Sequence, residues 1–384
     1  MLLALNRLQA ARIAGLGHIG ESEDSPSEDA RCRPRFRGHV PRLTVHEVCT
    51  GTSGLAWRLA RLGYHLGSRG GAATWLYNHL RSPDARPSEF QLSLLGSGLR
   101  QTFAGYEGIC IVDHPLLAQI LAPVCRVAYL HCEIAAPRLS AVPAAWRTFV
   151  PLESTRQKLI AVGGQPSAVC VTGLAVEPEL VDVAQSAYEN RIRRIASDQP
   201  LTVGFFASGA EPRPHASNII AGAVSVTRGG NKAIVSWGTG MLKAARVQLA
   251  LRKGGAVEES CRVIWARDRQ ASTTAVAGVF PEIDVVVSAA HERTNWAVGL
   301  GLPMFALLPN IGPFAAANLT FAVEQETCLP LATTADAVRL SDRIAELRKT
   351  GRLADMAEKS WGRHAVDGAA KIARSLLSAA ESGS

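Results

Sequence analysis

The chain has no CxxC pair among its eight cysteines, no HExxH, and no DxD triplet on a loop that ends a strand. No run of about 18 apolar residues occurs in its 384 residues. There is no internal repeat, and no low-complexity tract after the amino-terminal segment. Aromatic residues make up 6% and charged residues 19%. Each absence excludes something. Cys32, Cys49, Cys110, Cys125, Cys132, Cys170, Cys261 and Cys328 are scattered, several inside apolar runs such as GICIV and SAVCV. They read as buried free thiols of a reducing compartment, not as a zinc site or a disulfide frame. No transmembrane helix is expected. With no recognition motif and few aromatics, no nucleic-acid partner is expected either.

What is present is bulk apolar content and a basic balance. Hydrophobic residues reach 47% and the mean hydropathy is +0.08, which suits a globular chain with substantial cores. At this length two domains are the natural expectation. Lys and Arg number 41 against 33 Asp and Glu, a net charge of +8 with a pI near 9.3. That balance by itself favours an anionic partner: nucleotide phosphates, acidic lipid or nucleic acid. Residues 1–20 form a weak amphipathic stretch broken by Arg7 and Arg12, a poor signal peptide. Residues 21–42 are polar, charged and proline-bearing, so 1–42 reads as a disordered leader.

From residue 43 the chain alternates strand and helix patterns, as an α/β fold does. LTVHEVC at 43–49 is a strand candidate, followed by a small-residue turn that contains Thr52, Ser53 and Gly54, then by a helix over 55–66. The strand at 108–113 ends on Asp113 and His114, and the strand at 127–131 ends on His131, Cys132 and Glu133. Catalytic groups of doubly wound folds gather at strand ends. Asp113, His131 and Glu133 are therefore the acid/base candidates of this half. Taken singly, Asp113 also reads as a helix cap and His131 as a satisfied core histidine. Strands at 148–152 and 168–172 and a linking helix at 180–197 follow.

The second half opens with a strand at 201–206, then Ser208 and Gly209 in a tight turn and a helix over 216–226. A helix N-terminus there attracts a diphosphate, with charge from Arg213 and His215. A strand at 232–236 leads into the glycine loop of Thr239 and Gly240. The stretch 281–318 is the densest in signals. A strand at 283–288 runs into a polar turn with His291, Glu292 and Arg293. Thr294 is a plausible N-cap, Asn295 follows it, and Gly301 sits at the expected C-cap. A strand at 304–308 precedes a loop, with Asn318 just beyond. A short strand at 329–331 and helices over 334–350, 353–360 and 364–380 complete the chain. The expected division is 1–42 leader, 43–176 first domain, 177–200 linker helix, 201–360 second domain and 361–384 final helix.

Two segments carry a resemblance. "DVVVSAA…TNWAVGLGLPMFALLP…ANLTFAVEQETCLPL" and "VPLESTRQKLIAVGGQPSAVCVTGLAVEPEL" resemble GT-B glycosyltransferases, in particular the peptidoglycan N-acetylglucosaminyltransferase and monogalactosyldiacylglycerol synthase group. The resemblance covers most of the chain from about residue 43 to 377. It implies two Rossmann-like domains facing a cleft and a final helix that crosses back to the first domain. It implies a hexosyltransferase that uses a UDP-linked nucleotide-sugar donor and a lipid-linked or small-molecule acceptor, with no metal and no cofactor.

On that reading Ser208, Gly209, Arg213, Thr239, Gly240, His291, Glu292, Thr294, Asn295 and Asn318 bind the donor. Thr52, Ser53 and Gly54 lie on the acceptor side. The protein would be cytoplasmic, with peripheral contact at the inner face of the membrane. The sequence departs from the group's pattern in three places. The turn at 50–54 lacks the group's histidine. Trp296 stands near the place of a ribose-binding glutamate. Alanines precede Asn318 where the group has a glutamine. Two alternatives stay open: a GT-B-fold nucleotide-sugar epimerase, and a non-catalytic GT-B-like binding protein.

Overall fold

The computed structural model describes residues 54–67, 69–80, 86–208 and 212–381. The leader 1–42, the strand expected at 43–49, and Thr52, Ser53 and Gly209 lie outside them. Three helices come first: α1 (Gly54–Gly67), α2 (Gly71–Leu80) and α3 (Glu89–Phe103). No sequence expectation covers α3, yet its start is locally encoded. The Ser88 hydroxyl accepts from the Gln91 N–H, and the Gln91 side chain accepts from the Ser88 N–H, a capping box.

The first sheet follows. It contains β1 (Ile109–Val112), β2 (Arg126–Leu130), β3 (Arg147–Val150) and β4 (Val169–Val171), all parallel and in that order. Its crossovers carry α4 (Pro115–Leu121) and α5 (Glu153–Ala161). The long helix α6 (Pro178–Ala196) leads to the second sheet.

The second sheet is built from β5 (Thr202–Phe206), α7 (Arg213–Arg228), β6 (Lys232–Thr239), α8 (Met241–Gly254), β7 (Cys261–Ala266) and α9 (Arg269–Val279). It continues with β8 (Val285–Ser288), α10 (Thr294–Gly299), β9 (Met304–Leu307), α11 (Ala315–Glu324) and β10 (Cys328–Leu331). The six strands are parallel, in the order β10-β9-β8-β5-β6-β7. From β5 the chain steps one way to β6 and β7, then returns and steps the other way from β8 to β10. The junction of β5 and β8 is therefore a switch point, where loops leaving the strand ends diverge and open a crevice. The chain closes with α12 (Thr334–Val338), α13 (Leu340–Lys349), α14 (Arg352–Ser360) and α15 (Gly368–Glu381). The single helix expected over 334–350 is broken at Arg339, whose φ of −98° and ψ of 11° leave the helical well.

Burial explains the uninterrupted apolar strands. Both faces of the second sheet are covered, so its inner strands need no polar alternation. Successive residues serve opposite cores. Phe205 packs with Ile219, Val287 and Leu340 on one face, and Phe206 with Trp296, Phe280 and Leu180 on the other. On the first sheet, Ile372 and Leu376 of α15 pack against Ala128, Leu130 and Phe149, so the last helix returns to the lobe formed by the earlier strands.

One polar residue organises the second lobe. Arg191 on α6 is fully buried, and burial pulls its guanidinium down to about 10, so it stays charged at neutral pH. It donates to the carbonyls of Ile283, Leu300 and Gly301 at 3.1, 3.0 and 2.7 Å. Gly301 has a φ of 62°, and a Cβ there would meet Tyr188 at 2.6 Å, so the turn requires glycine. Arg191→Met keeps the volume but strands three buried carbonyls. It is expected to lower unfolding free energy by roughly 3–5 kcal/mol. Urea denaturation of both proteins measures the difference.

Candidate functional site

The carboxyl ends of the two sheets meet across a cleft, at the β5–β8 switch point. β2 delivers its terminal loop from the first lobe: His131, Cys132, Glu133. The loop after β8 delivers Ala290, His291, Glu292 and Arg293 from the second. Asn318 on α11 joins them. Its side-chain N–H groups donate to Glu133 Oε2 at 2.5 Å and to the Ala290 carbonyl at 3.2 Å. Its Oδ1 accepts from the Ala135 N–H at 2.9 Å. Asn295 at the start of α10 donates to the Cys132 carbonyl at 3.2 Å. A second clasp lies further out. Asn78 of α2 donates to the Asn310 carbonyl and accepts from the Gly312 N–H, both at 3.0 Å.

Glu133 is the chemically distinctive group. Burial pushes its carboxyl up to about 7, the Asn318 bond opposes that rise, and the charge of Glu292 adds to it. The Cys132 thiol is pushed up to about 12 by burial and by the negative charges of Glu292, Asp113 and Glu133. The charges of three carboxylates therefore all act on the Cys132 thiol at one strand end. They come from β1, β2 and the β8 loop, and sequence spacing alone does not bring them together. Among the described residues no group of three His, Cys, Asp or Glu side chains is placed to hold a metal ion.

His131 is placed differently from its expected role. It is buried, its Nε2 donates to the Ala135 carbonyl at 2.7 Å, and its Nδ1 accepts from the Tyr129 hydroxyl at 3.1 Å. Burial pulls it down to about 4, so it is neutral at pH 7. Both nitrogens are engaged, which makes it a positioning residue for the 131–135 loop and not a free base. Asp113 is exposed at the end of β1.

On the second lobe Ser208 follows β5, and Arg213 opens α7 and is exposed. His215 is corrected in charge. It is buried, donates from Nε2 to the Pro309 carbonyl at 2.9 Å and is pulled down to about 4. It adds no positive charge at neutral pH, and its Nδ1 faces no partner. Thr239 ends β6 and Gly240, with a φ of 109°, precedes α8. They sit one strand beyond β5, on the side away from β8, and so stand apart from the Glu133 cluster. Gly54 is buried at the start of α1.

His291 is half-buried and pulled down by burial. Thr294 does not cap α10: the helix begins at Thr294 itself, and its buried hydroxyl has no partner. Arg293, placed by the sequence in the polar turn but not among the donor-binding candidates, lies at the β5–β8 junction. Its guanidinium lies over the rings of Phe206 and Trp296 at 5.3 and 5.5 Å and donates to the Ala207 carbonyl at 3.5 Å. Its signal in the sequence was a cation in the turn after the 283–288 strand.

With this geometry in hand, the comparisons bear on class. No protein-family model matches the chain, and no curated protein does. The fold has solved counterparts. One is a protein assigned as a UDP-N-acetylglucosamine 2-epimerase from Listeria monocytogenes. Its TM-score is 0.52 at 12% identity, over 76% of this chain and 79% of that one. Another is the UDP-GlcNAc 2-epimerase of Neisseria meningitidis bound to UDP-GlcNAc. Its TM-score is 0.50 at 13% identity, over 75% and 82%. At such identity the likeness is one of fold, and it places the chain in the GT-B architecture expected from the sequence. It overturns the more specific expectation. The scaffold superposes on nucleotide-sugar epimerases, so neither the glycosyltransferase reading nor the hexosyltransferase class stands. Among the described residues no helix is long and apolar enough to cross a membrane.

The Glu133 carboxyl yields a stability prediction. Its folded value of about 7 lies above its ordinary 4.5. The fold therefore favours the protonated form, and stability falls as pH rises from about 4.5 through about 7. Glu133→Gln mimics the protonated form. It should melt higher than the parent at pH 8, with the gap closing toward pH 4.5, as read by calorimetry across that range.

Proposed function

We propose that the chain is a nucleotide-sugar epimerase that inverts a carbon centre of a UDP-linked sugar. The observation that carries the reading is Glu133: a half-buried carboxyl poised near neutrality, held by Asn318 of the opposite lobe and acted on by the charge of Glu292. Inverting a carbon requires that a proton leave one face and arrive on the other. A group with a pKa near the working pH both takes and returns a proton well. The fold counterpart that is bound to UDP-GlcNAc supports a UDP-sugar as the substrate class.

A proton on the sugar carbon next to the anomeric centre is not acidic by itself. It becomes removable when the diphosphate leaves. The C–H electron pair forms the C1–C2 double bond while the C1–O pair departs with UDP. Re-addition of UDP to C1, with protonation of C2 from the opposite face, completes the inversion. In this scheme Glu133 exchanges the proton from the first lobe and Glu292 from the second. The α7 N-terminus, Ser208, Arg213 and Arg293 face the diphosphate, and the orphaned Thr294 hydroxyl accepts a ligand contact. Asn318 positions Glu133. Asp113 adds negative charge to the pocket.

The test is proton NMR of UDP-GlcNAc with the protein in deuterated buffer. Exchange of the C2 proton and appearance of the C2 epimer are expected. Glu133→Gln should lower the rate by about 10²–10⁴, and the parent's kcat/KM should rise with a midpoint near pH 7. Nucleotide-sugar binding without any ring-proton exchange would leave a binding protein instead.

The surface of α1 and α2 supports peripheral contact with an anionic membrane. Leu55, Leu59, Leu62 and Leu66 form one exposed stripe on α1, and Trp75 and Leu76 are exposed on α2. From Gly54 to Leu80 there is no acidic residue, whereas Arg58, Arg61 and Arg69 are present. Leucines beside arginines are the pattern of a helix lying in a lipid headgroup layer. Co-sedimentation with phosphatidylglycerol vesicles, weakened by salt and by Leu59→Gln with Leu62→Gln, is the expected result.

A further inference from the structure

A cavity of about 1030 Å³ lies away from the cleft, on the outer face of the second lobe between α7 and α8. Its closed end is pinned. Arg228, the last residue of α7, donates to the Gly254 and Gly255 carbonyls at 2.9 and 3.0 Å. There the helices approach so closely that a Cβ on Gly254 would sit 3.0 Å from Val224. A Cβ on Gly229 would fall on the Ser341 hydroxyl, so α13 closes the side. Between the helices the facing side chains are small, with Ser217 and Ala221 on α7 and Ala250 on α8. They leave the space unfilled. Ile220, Val224 and Val247 make its walls apolar, and Trp237 of β6 forms part of its lining.

The size and the lining, apolar with few polar groups, match those of small-molecule sites. The rim sets the sign of the ligand. Arg228, Lys243 and Arg246 border the cavity against one carboxylate, Asp342. We propose that the α7–α8 groove binds a single-chain anionic amphiphile, a long-chain carboxylate or alkyl phosphate. The chain would lie between the helices and the headgroup at the cationic rim. An apolar slot bordered by excess positive charge complements both halves of such a molecule. The site is independent of the nucleotide-sugar reading.

Calorimetric titration of the full chain with dodecanoate and with dodecyl phosphate, below their micelle concentrations, tests it. One molecule of either anion should bind per chain, and dodecanol about tenfold more weakly, the difference of one rim ion pair at about 1.4 kcal/mol. Ser217→Trp and Ala221→Trp should each fill the groove and weaken anion binding at least about tenfold. Ser217 is exposed, so its replacement leaves the core untouched, and melting curves confirm folding. Arg246→Glu should weaken the anions and spare the alcohol. No binding of either anion overturns the proposal. So does binding undiminished in both tryptophan variants, or equal affinity for anion and alcohol.

Discussion

Asn318 is the point on which the two lobes turn. Its amide makes three bonds, one to a carboxylate on the first lobe, one to a backbone N–H beside it, and one to a carbonyl of its own lobe. A buried amide left unpartnered costs about 1–3 kcal/mol, so this arrangement is strongly preferred once the lobes meet. It fixes where the β2 loop lies relative to the β8 loop. It also sets the chemistry of Glu133, because the same bond that stabilises the ionised carboxylate opposes the effect of burial. Remove the clasp and the carboxyl loses both its position and its tuning.

The second lobe can present its loops because α6 braces it from behind. Arg191 joins the backbone before β8 to the turn before β9, and both strands carry cleft loops at their far ends. A charge is costly to bury, but here three carbonyls accept hydrogen bonds from its N–H groups, and Asp284 lies close enough to favour the charged form. Next to it Arg194 pairs with the buried Asp284 at 2.8 Å, and that carboxylate accepts from the Thr202 N–H that begins β5. One helix thus ties β5 and β8, the two strands of the switch point, before the crevice is reached.

Much of this was legible in the sequence, and the boundary is instructive. Apolar runs flanked by glycine and proline marked the strands, because parallel strands buried on both faces need no alternation. The strand-end rule singled out Glu133 and Asp113, and also His131. It could not show that Tyr129 and Ala135 occupy both nitrogens of that ring. Asn318 reads in the sequence as a donor-binding residue, but its link to Glu133, 185 residues away, is a tertiary fact. Glu292 read as a donor contact for the same reason: its nearness to Glu133 depends on two lobes closing. The reaction class was misread because the resemblance lay in strand, turn and helix signals. Those describe a scaffold that hosts more than one chemistry. The missing glutamate near Trp296 was the sequence's own sign of departure. In the structure Trp296 is buried and bonded to Glu177, a packing role that leaves it no part in binding ribose.

The proposed reaction explains why the carboxylates should come from opposite lobes. A transferase removes a proton from an acceptor hydroxyl once, and one base on one wall suffices. An epimerase must remove and restore a proton at the same carbon on opposite faces, so it needs groups on both walls of one cleft. Glu133 enters from the first sheet and Glu292 from the second, and neither lobe alone contains the pair. Burial, with a smaller contribution from the Glu292 charge, raises the Glu133 value and favours the protonated form needed for return, while Asn318 restrains that rise so that the ionised form needed for removal is also populated. On this reading the lobe clasp and the proton-transfer group are one device. The destabilisation of Glu133 in its charged state is then the cost of keeping both protonation states within reach near neutral pH.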